Sequence, residues 1–252
     1  MVKGLYTATT GMMNQQKRMD TISNNLANVN TTGFKKDGVV VESFQDVLTY
    51  KLDNSPNPNS RIGAMTLGVQ TGQVYTDYMQ GSFTQTNNVF DVALQGEGVI
   101  TIGIQNGEGD FQNAYTRDGA FVLSNSGELM TKEGNYVMGE DGTITLGTGE
   151  VTINENGQIY LNGDYVDTLQ LVNFGELDLE KMGDNLYRVP EDAEELAFEG
   201  QVIQGFLEES NVNAIREMVD MISVMRTYES NQKVIQTQDE TLGKVVNEVG
   251  RI

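Results

Sequence analysis

The chain has 252 residues, 38% of them hydrophobic, and its 36 acidic against 16 basic groups give a formal net charge of −20. That is enough chain for two modest domains, or for one core with an elongated appendage, and the acidic balance argues against nucleic acid or an anionic membrane as partner. With neither cysteine nor histidine it can build no disulfide framework or thiolate metal site, and it lacks the commonest general base, triad base and zinc ligand.

The first expected element is a helix within residues 1–36. Leu5, Ala8, Met12, Gln15, Met19, Ile22, Leu26 and Val29 recur at alternating steps of three and four, a heptad seam broken once by Gln15. Residues 23–35 are then crowded with Asn and hydroxyl side chains, which compete for backbone hydrogen bonds. The helix is therefore expected to end near 27–30, with Gly33 supplying a positive φ and Phe34 docking the turn. The opening residues lack the apolar core of a cleavable signal peptide, and no stretch approaches the roughly 18 apolar residues of a membrane span; by these signals alone the chain reads as cytosolic. Five Lys and Arg against one Asp give residues 1–36 a net of +4, residues 205–252 carry −3, and the remaining −21 falls on 37–204.

Residues 39–41 form a short apolar run, followed by Phe44, Val47 and Leu48 at helical spacing. Residues 53–60 hold two of the three prolines and read as an irregular exposed loop, and 63–90 reads as extended. From about 91 to 190 short apolar runs at 99–104, 120–123, 143–146, 151–153, 158–161 and 165–172 alternate with Asp118-Gly119, Ser126-Gly127, Asp141-Gly142, Asn156-Gly157 and Asn162-Gly163. Such pairs between alternating apolar residues are hairpin signals, so an all-β domain of six or more strands is expected.

At the other end Met221, Val224, Tyr228, Asn231, Ile235, Gln238, Leu242, Val245 and Val249 keep the same steps without a slip. They predict a helix over 211–249, about 58 Å long, with Ser210 or Asn211 as N-cap. Neither helix can bury its seam alone. The ends are expected to pair as a hairpin that completes itself in an assembly, and a dimer or a polymer satisfies the heptads equally. Asn231 and Gln238 either face solvent or fix the register. The methionines at 12, 13, 19, 218, 221 and 225 are expected to pack the helical core or a subunit contact.

The predicted fold is α+β and discontinuous: terminal helices forming a coiled-coil-like domain from 1–36 plus 205–252, an extended linker region from 37–90 plus 191–204, and an all-β middle domain from 91–190. Two carboxylates could serve a glycosidase, yet Asp118 and Asp141 precede glycines in turns, where Asp is favoured for its own backbone bonding. The runs at 140–142 and 154–157 do not supply the alternating ligands of a calcium loop, and no helix start follows Gly96-Glu97-Gly98 to cradle a phosphate. No catalytic residue, cofactor or metal is assigned.

Three runs carry a family resemblance. Asn24-Asn25-Leu26-Ala27-Asn28-Val29-Asn30-Thr31-Thr32-Gly33-Phe34-Lys35 resembles the N-terminal signature shared by the axial proteins of the bacterial flagellum, its rod, hook and hook-associated proteins. Phe90-Asp91-Val92-Ala93-Leu94-Gln95-Gly96-Glu97-Gly98, with Ala114-Tyr115-Thr116-Arg117-Asp118-Gly119-Ala120-Phe121, is similar to their paired internal motifs, except that Val99 and Ile100 stand where the family usually has aromatic residues. Gln204-Gly205-Phe206-Leu207-Glu208-Glu209-Ser210-Asn211-Val212, and the run from Arg226-Thr227-Tyr228-Glu229 to Glu240, resemble the C-terminal arm of rod proteins of the FlgF and FlgG type.

The resemblance implies a non-enzymatic structural subunit that polymerises helically into the basal-body rod, transmits torque and encloses the export channel. Implied partners are copies of itself, neighbouring rod and hook proteins, the flagellar type III export apparatus and the surrounding bushing rings, with no nucleic acid and no membrane insertion. It also implies export to the basal body without a cleaved signal peptide. The seam residues are then assembly contacts, and Asn24, Asn25, Leu26, Ala27, Asn28, Gly33, Phe34, Lys35, Arg226, Tyr228 and Glu229 are motif residues. A hook or hook-associated subunit would share both ends; a secreted calcium-dependent β adhesin and an acidic glycosidase are readings from other classes.

Overall fold

The computed structural model describes residues 2–45, 47–50, 61–105, 111–174, 179–190, 193 and 195–249. They divide into two compact units, one of Met1–Ala27, Asp37–Tyr75 and Asn213–Ile252, the other of Asn28–Lys36 and Thr76–Val212. The α+β fold with a coiled-coil-like domain is not what is found. Regular structure is mostly strand, with 21 strands against two α-helices among the described residues, and the coiled coil is present only in part. The regions expected as linker carry strands of their own: Lys36–Ser43 with Val69–Asp77, and Leu196–Ala197 and Gln201–Gln204. Periodicity and two-residue turns reveal a strand only when its partner is next in sequence, and these pair across longer stretches.

In the second unit the central sheet runs Glu180–Gly183, Leu186–Arg188, Phe111–Thr116, Val99–Gln105, Tyr136–Gly139, Leu129–Thr131, Phe121–Leu123, and Leu171–Asn173 also pairs with Val99–Gln105. Successive side chains on a strand point to opposite faces, so Ile100, Ile102, Ala114 and Leu186 join one apolar cluster with Val92, Leu94, Phe121 and Ile159. Val99, Tyr115 and Tyr187 join Val172 and Phe174 in another, where the Tyr115 and Phe174 rings meet edge to face with centroids 4.7 Å apart. Val99 thus packs among aromatic residues. Each such buried side chain contributes about 1.5–3 kcal/mol of apolar transfer.

The run expected at 165–172 is two strands, Asp164–Thr168 and Leu171–Asn173, in different sheets. The first completes a meander with Val151–Ile153 and Gln158–Leu161, and positive φ at both Asn162 and Gly163 makes the tight turn that matches strand twist. Of 143–146 only Thr143 is strand, as the end of Gly142–Thr143, with Thr145 in an isolated bridge to Glu128. Two ribbons tie distant segments: Val92–Gln95 with Gln201–Gln204, and Phe83–Gln85 with Phe206–Glu208.

The first unit is built on helix α1, Val2–Ala27, and helix α2, Ala214–Lys244, the latter about 46 Å long. They run antiparallel. A Cβ at Gly4 would stand 2.6 Å from Gln238 Nε2, and one at Gly11 would stand 3.2 Å from Asn231 Nδ2, so two glycines seven residues apart admit two amides seven residues apart on α2. The N-cap of α2 is Asn213, not Ser210 or Asn211: its Oδ1 accepts from Arg216 N at 3.0 Å. Beyond Lys244 the helix loosens into a π-turn, Val245–Val249. The helical spacing expected at 44–48 gives way to strand Val47–Tyr50, paired with Arg61–Met65, in keeping with its Val, Thr and Tyr. The loop read at 53–60 lies outside the described residues.

Candidate functional site

Along α1, Ala8 and Ile22 are buried, and Leu5, Met12, Met19 and Leu26 are half-buried. Val29 lies in the turn beyond the helix and belongs to the second unit. On α2, Val224 is buried; Met221, Tyr228, Asn231, Ile235, Gln238 and Leu242 are half-buried; Val245 is exposed. The Val249 side chain is outside the described part. The motif residues Arg226 and Glu229 are exposed on α2. Among the described residues a second stripe on α2, Ile215, Met218, Val219, Ile222 and Met225, is 45–77% exposed. Its i, i+3, i+4, i+7 spacing makes it one helical face, and a shallow hollow between Val219, Ile222, Arg226 and Ser230 lies on it.

The other motif residues converge. Asn25 is 1% exposed and uses its amide as a backbone would: Nδ2 donates to Asp37 O and Oδ1 accepts from Asp37 N, each at 2.9 Å. Nδ2 also lies 3.4 Å from Glu217 Oε2 on α2. Asn24 is exposed, as is Ala27, and Asn28 is half-buried. Once α1 ends, Thr31 N donates to Asn28 O and Phe34 N to Thr31 O, a turn that needs Gly33 at φ +66°. A Cβ there would also stand 2.5 Å from the Arg117 carbonyl.

Gly33 N donates to Glu208 O at 2.8 Å, Thr32 Oγ1 to Asp118 Oδ1 at 2.6 Å and Asn185 Nδ2 to Thr32 O at 2.7 Å. Phe34 is buried with Lys181 Nζ 4.3 Å from its ring centroid.

At the centre Glu208 accepts from two cations. Lys35 Nζ is 2.6 Å from Oε1, and Arg117 Nε is 2.7 Å from Oε2. All three side chains are buried. Lys35 Nζ also donates to Met79 O at 2.9 Å, Gly81 N to Glu208 Oε1 at 2.9 Å, and Arg117 reaches the carbonyls of Leu94, Gly96 and Gly98. So saturated a set of partners is what a buried ionic cluster requires. Burial works against the Glu208 charge, but Arg117 and Lys35 outweigh it and hold the carboxyl below its ordinary value. For Lys35 burial prevails over Glu208, and its ammonium is pulled down. Burial likewise raises the Asp118 carboxyl, against the bonds it accepts from Thr32 and Ala120.

Arg117 and Glu208 lie in the motif runs but are not among the expected site residues. No sequence signal singles these charges out, since each stands beside another charge, in Lys35-Lys36, Arg117-Asp118 and Glu208-Glu209. Asn154, in a run weighed for calcium, spends its Oδ1 on the N–H groups of Asn156 and Gln158 in its own turn. Among the described residues no helix is long and apolar enough to cross a membrane.

Comparison with known proteins bears on this cluster directly. Residues 5–35 match the family described as flagella basal body rod protein, residues 93–161 the flagellar hook protein FlgE/F/G D1 domain and residues 203–248 the flagellar basal body rod FlgEFG protein C-terminal. Each matched segment supplies one member of the triad. Over the whole chain, the flagellar basal-body rod protein FlgG of Caulobacter vibrioides is 36% identical, covering 96% of this chain and 97% of its own. FlgG of Bacillus subtilis is 34% identical, covering 98% and 99%. The flagellar hook-basal body complex protein FlhO of Bacillus subtilis is 31% identical over the full length of both. With near-complete coverage and similarity at both ends and the middle, the chain belongs to the flagellar basal-body rod protein family.

Proposed function

We propose that this rod-family subunit polymerises helically into the axial drive shaft of the basal body, where it transmits torque and encloses the export channel. The observation that carries the reading is the double-sided α2. One stripe packs on α1, and the second, Ile215, Met218, Val219, Ile222 and Met225, remains open to solvent. Covering several large apolar side chains stabilises contact with another subunit by about 25 cal/mol per Å² buried, and a face that reappears on every copy suits contacts repeated from subunit to subunit. Copies of this chain, neighbouring rod and hook proteins and the surrounding bushing rings are its partners. It reaches the basal body through the type III export apparatus without a cleaved signal peptide, and its role is structural, without catalysis. The seam residues from Leu5 to Leu26 and from Met221 to Leu242, together with the open stripe, form the assembly contacts.

The test is polymerisation of purified chain followed by sedimentation and electron microscopy. Ile222→Asp, on the open stripe, and Ile235→Asp, on the α1 side, place a charge in an apolar contact. Both are expected to abolish filaments while the thermal transition of the β unit stays within a degree or two. Filaments from Ile222→Asp at wild-type concentration would refute the use of that stripe.

A further inference from the structure

We propose that Lys35, Arg117 and Glu208 form a positioning latch that sets the register of the two arms leading out of α1 and into α2. A buried ionic cluster is a poor device for stability alone, because apolar residues of similar volume do as well or better, whereas it specifies its partners closely. The placement of these charges matches that use. Lys35 follows the end of α1 in the chain, Glu208 precedes the start of α2, and Arg117 anchors both to the β unit through the Leu94, Gly96 and Gly98 carbonyls.

Further rungs join the same two arms and the helix turns they continue into. Gly33 N donates to Glu208 O, Lys36 N donates to Asn211 Oδ1 at 2.8 Å, and Asn25 Nδ2 meets Glu217 Oε2. From Asn25 to Lys35 is ten residues and from Glu208 to Glu217 is nine. Arms of nearly equal length, tied near both ends, cannot slip by a residue without breaking a buried ion pair. Asn211 Nδ2 fastens the second arm again, to Asp77 O and Met79 O. The helices themselves need such help, since they carry the amide oxygens of Asn14, Gln15 and Gln238, buried with no hydrogen-bond partner among the described residues.

The latch stands on this geometry; only its value for polymerisation rests on the rod reading. The chain has no cysteine, so spin labels at Ser23→Cys and Asp220→Cys, both exposed, report the α1–α2 distance by pulsed electron resonance in the full chain. A single narrow population is expected. Glu208→Gln should broaden it at least twofold while circular dichroism still shows a folded β unit. Lys35→Met leaves Arg117 and Glu208 as a neutral pair and should broaden it less, and Lys35→Arg should restore the narrow population. If Glu208→Gln and Lys35→Met lower the melting temperature of the β unit without broadening the distance, the triad is merely structural and the latch is refuted. Failure of the parent chain to polymerise would count against the rod reading and leave the distance result standing.

Discussion

In the β unit Ile100, Ile102, Val137 and Ile159 have no solvent exposure, whereas along the helix pair only Ala8, Ile22 and Val224 among the described apolar seam residues are buried. The β unit closes its core within one copy, on both faces of the central sheet. The helix pair mixes apolar contacts with Asn25, Asn231 and Gln238, sets two of its amides beside Gly4 and Gly11, and leaves a second apolar stripe open. One region is complete in a single chain, and the other leaves an apolar face open to solvent. Between them in sequence, not in chemistry, stand the arms at 28–36 and 205–212, where ion pairing takes the place that apolar packing has elsewhere.

The sharpest way to break this contrast is at Glu208. Glu208→Ala leaves Lys35 and Arg117 buried without their anion, and loss of one partner from a buried cluster costs about 3–5 kcal/mol. Urea unfolding of the β unit followed by circular dichroism should shift by that amount. A shift near zero would mean that the cluster is hydrated and weak.

Acid should act on the same group more mildly. The Glu208 carboxyl sits below its ordinary 4.5 in the folded chain, so its contribution is whole above pH 4.5 and is lost as pH falls through the lower folded value. Asp118, raised above 3.8, works in the opposite sense, since the folded chain holds its proton longer. Subtracting the pH profile of Glu208→Gln from that of the parent chain removes the Asp118 contribution. The difference should fall toward low pH, and a flat difference would contradict the pairing. The smallest effect belongs to the helix pair: Asn213→Ala removes the cap of α2 and should cost about 1 kcal/mol, read as faster amide exchange in the first turns of α2 with the β unit unchanged.

Much of the helix pair was legible because helical period is local. The positions read as the α2 seam from Met221 to Leu242 are the half-buried or buried ones, and α1 ends at Ala27 with Gly33 in the positive-φ turn that the composition called for. The same local logic placed the hairpin at Asn162-Gly163. It misplaced the N-cap by two or three residues, because Ser210, Asn211 and Asn213 are all capable caps and Asn211 is occupied with Lys36, Asp77 and Met79. The strands on either side of the β core fall in the stretches read as an extended linker region, and their pairing could not be read because several of their partners lie far away in sequence.

The sequence by itself determined a helix at each end, four of the five expected hairpin turns and the motifs of a flagellar rod protein, because periodicity, turn chemistry and motif runs are written in neighbouring residues; the fifth turn, Asp118-Gly119, joins strands Phe111–Thr116 and Phe121–Leu123, which do not pair with each other. Only the tertiary structure decided that Lys35 and Arg117 share Glu208, across separations of 173 and 91 residues. A charge carries no mark of its partner in the chain around it, and only the closed β core brings these three within hydrogen-bonding distance.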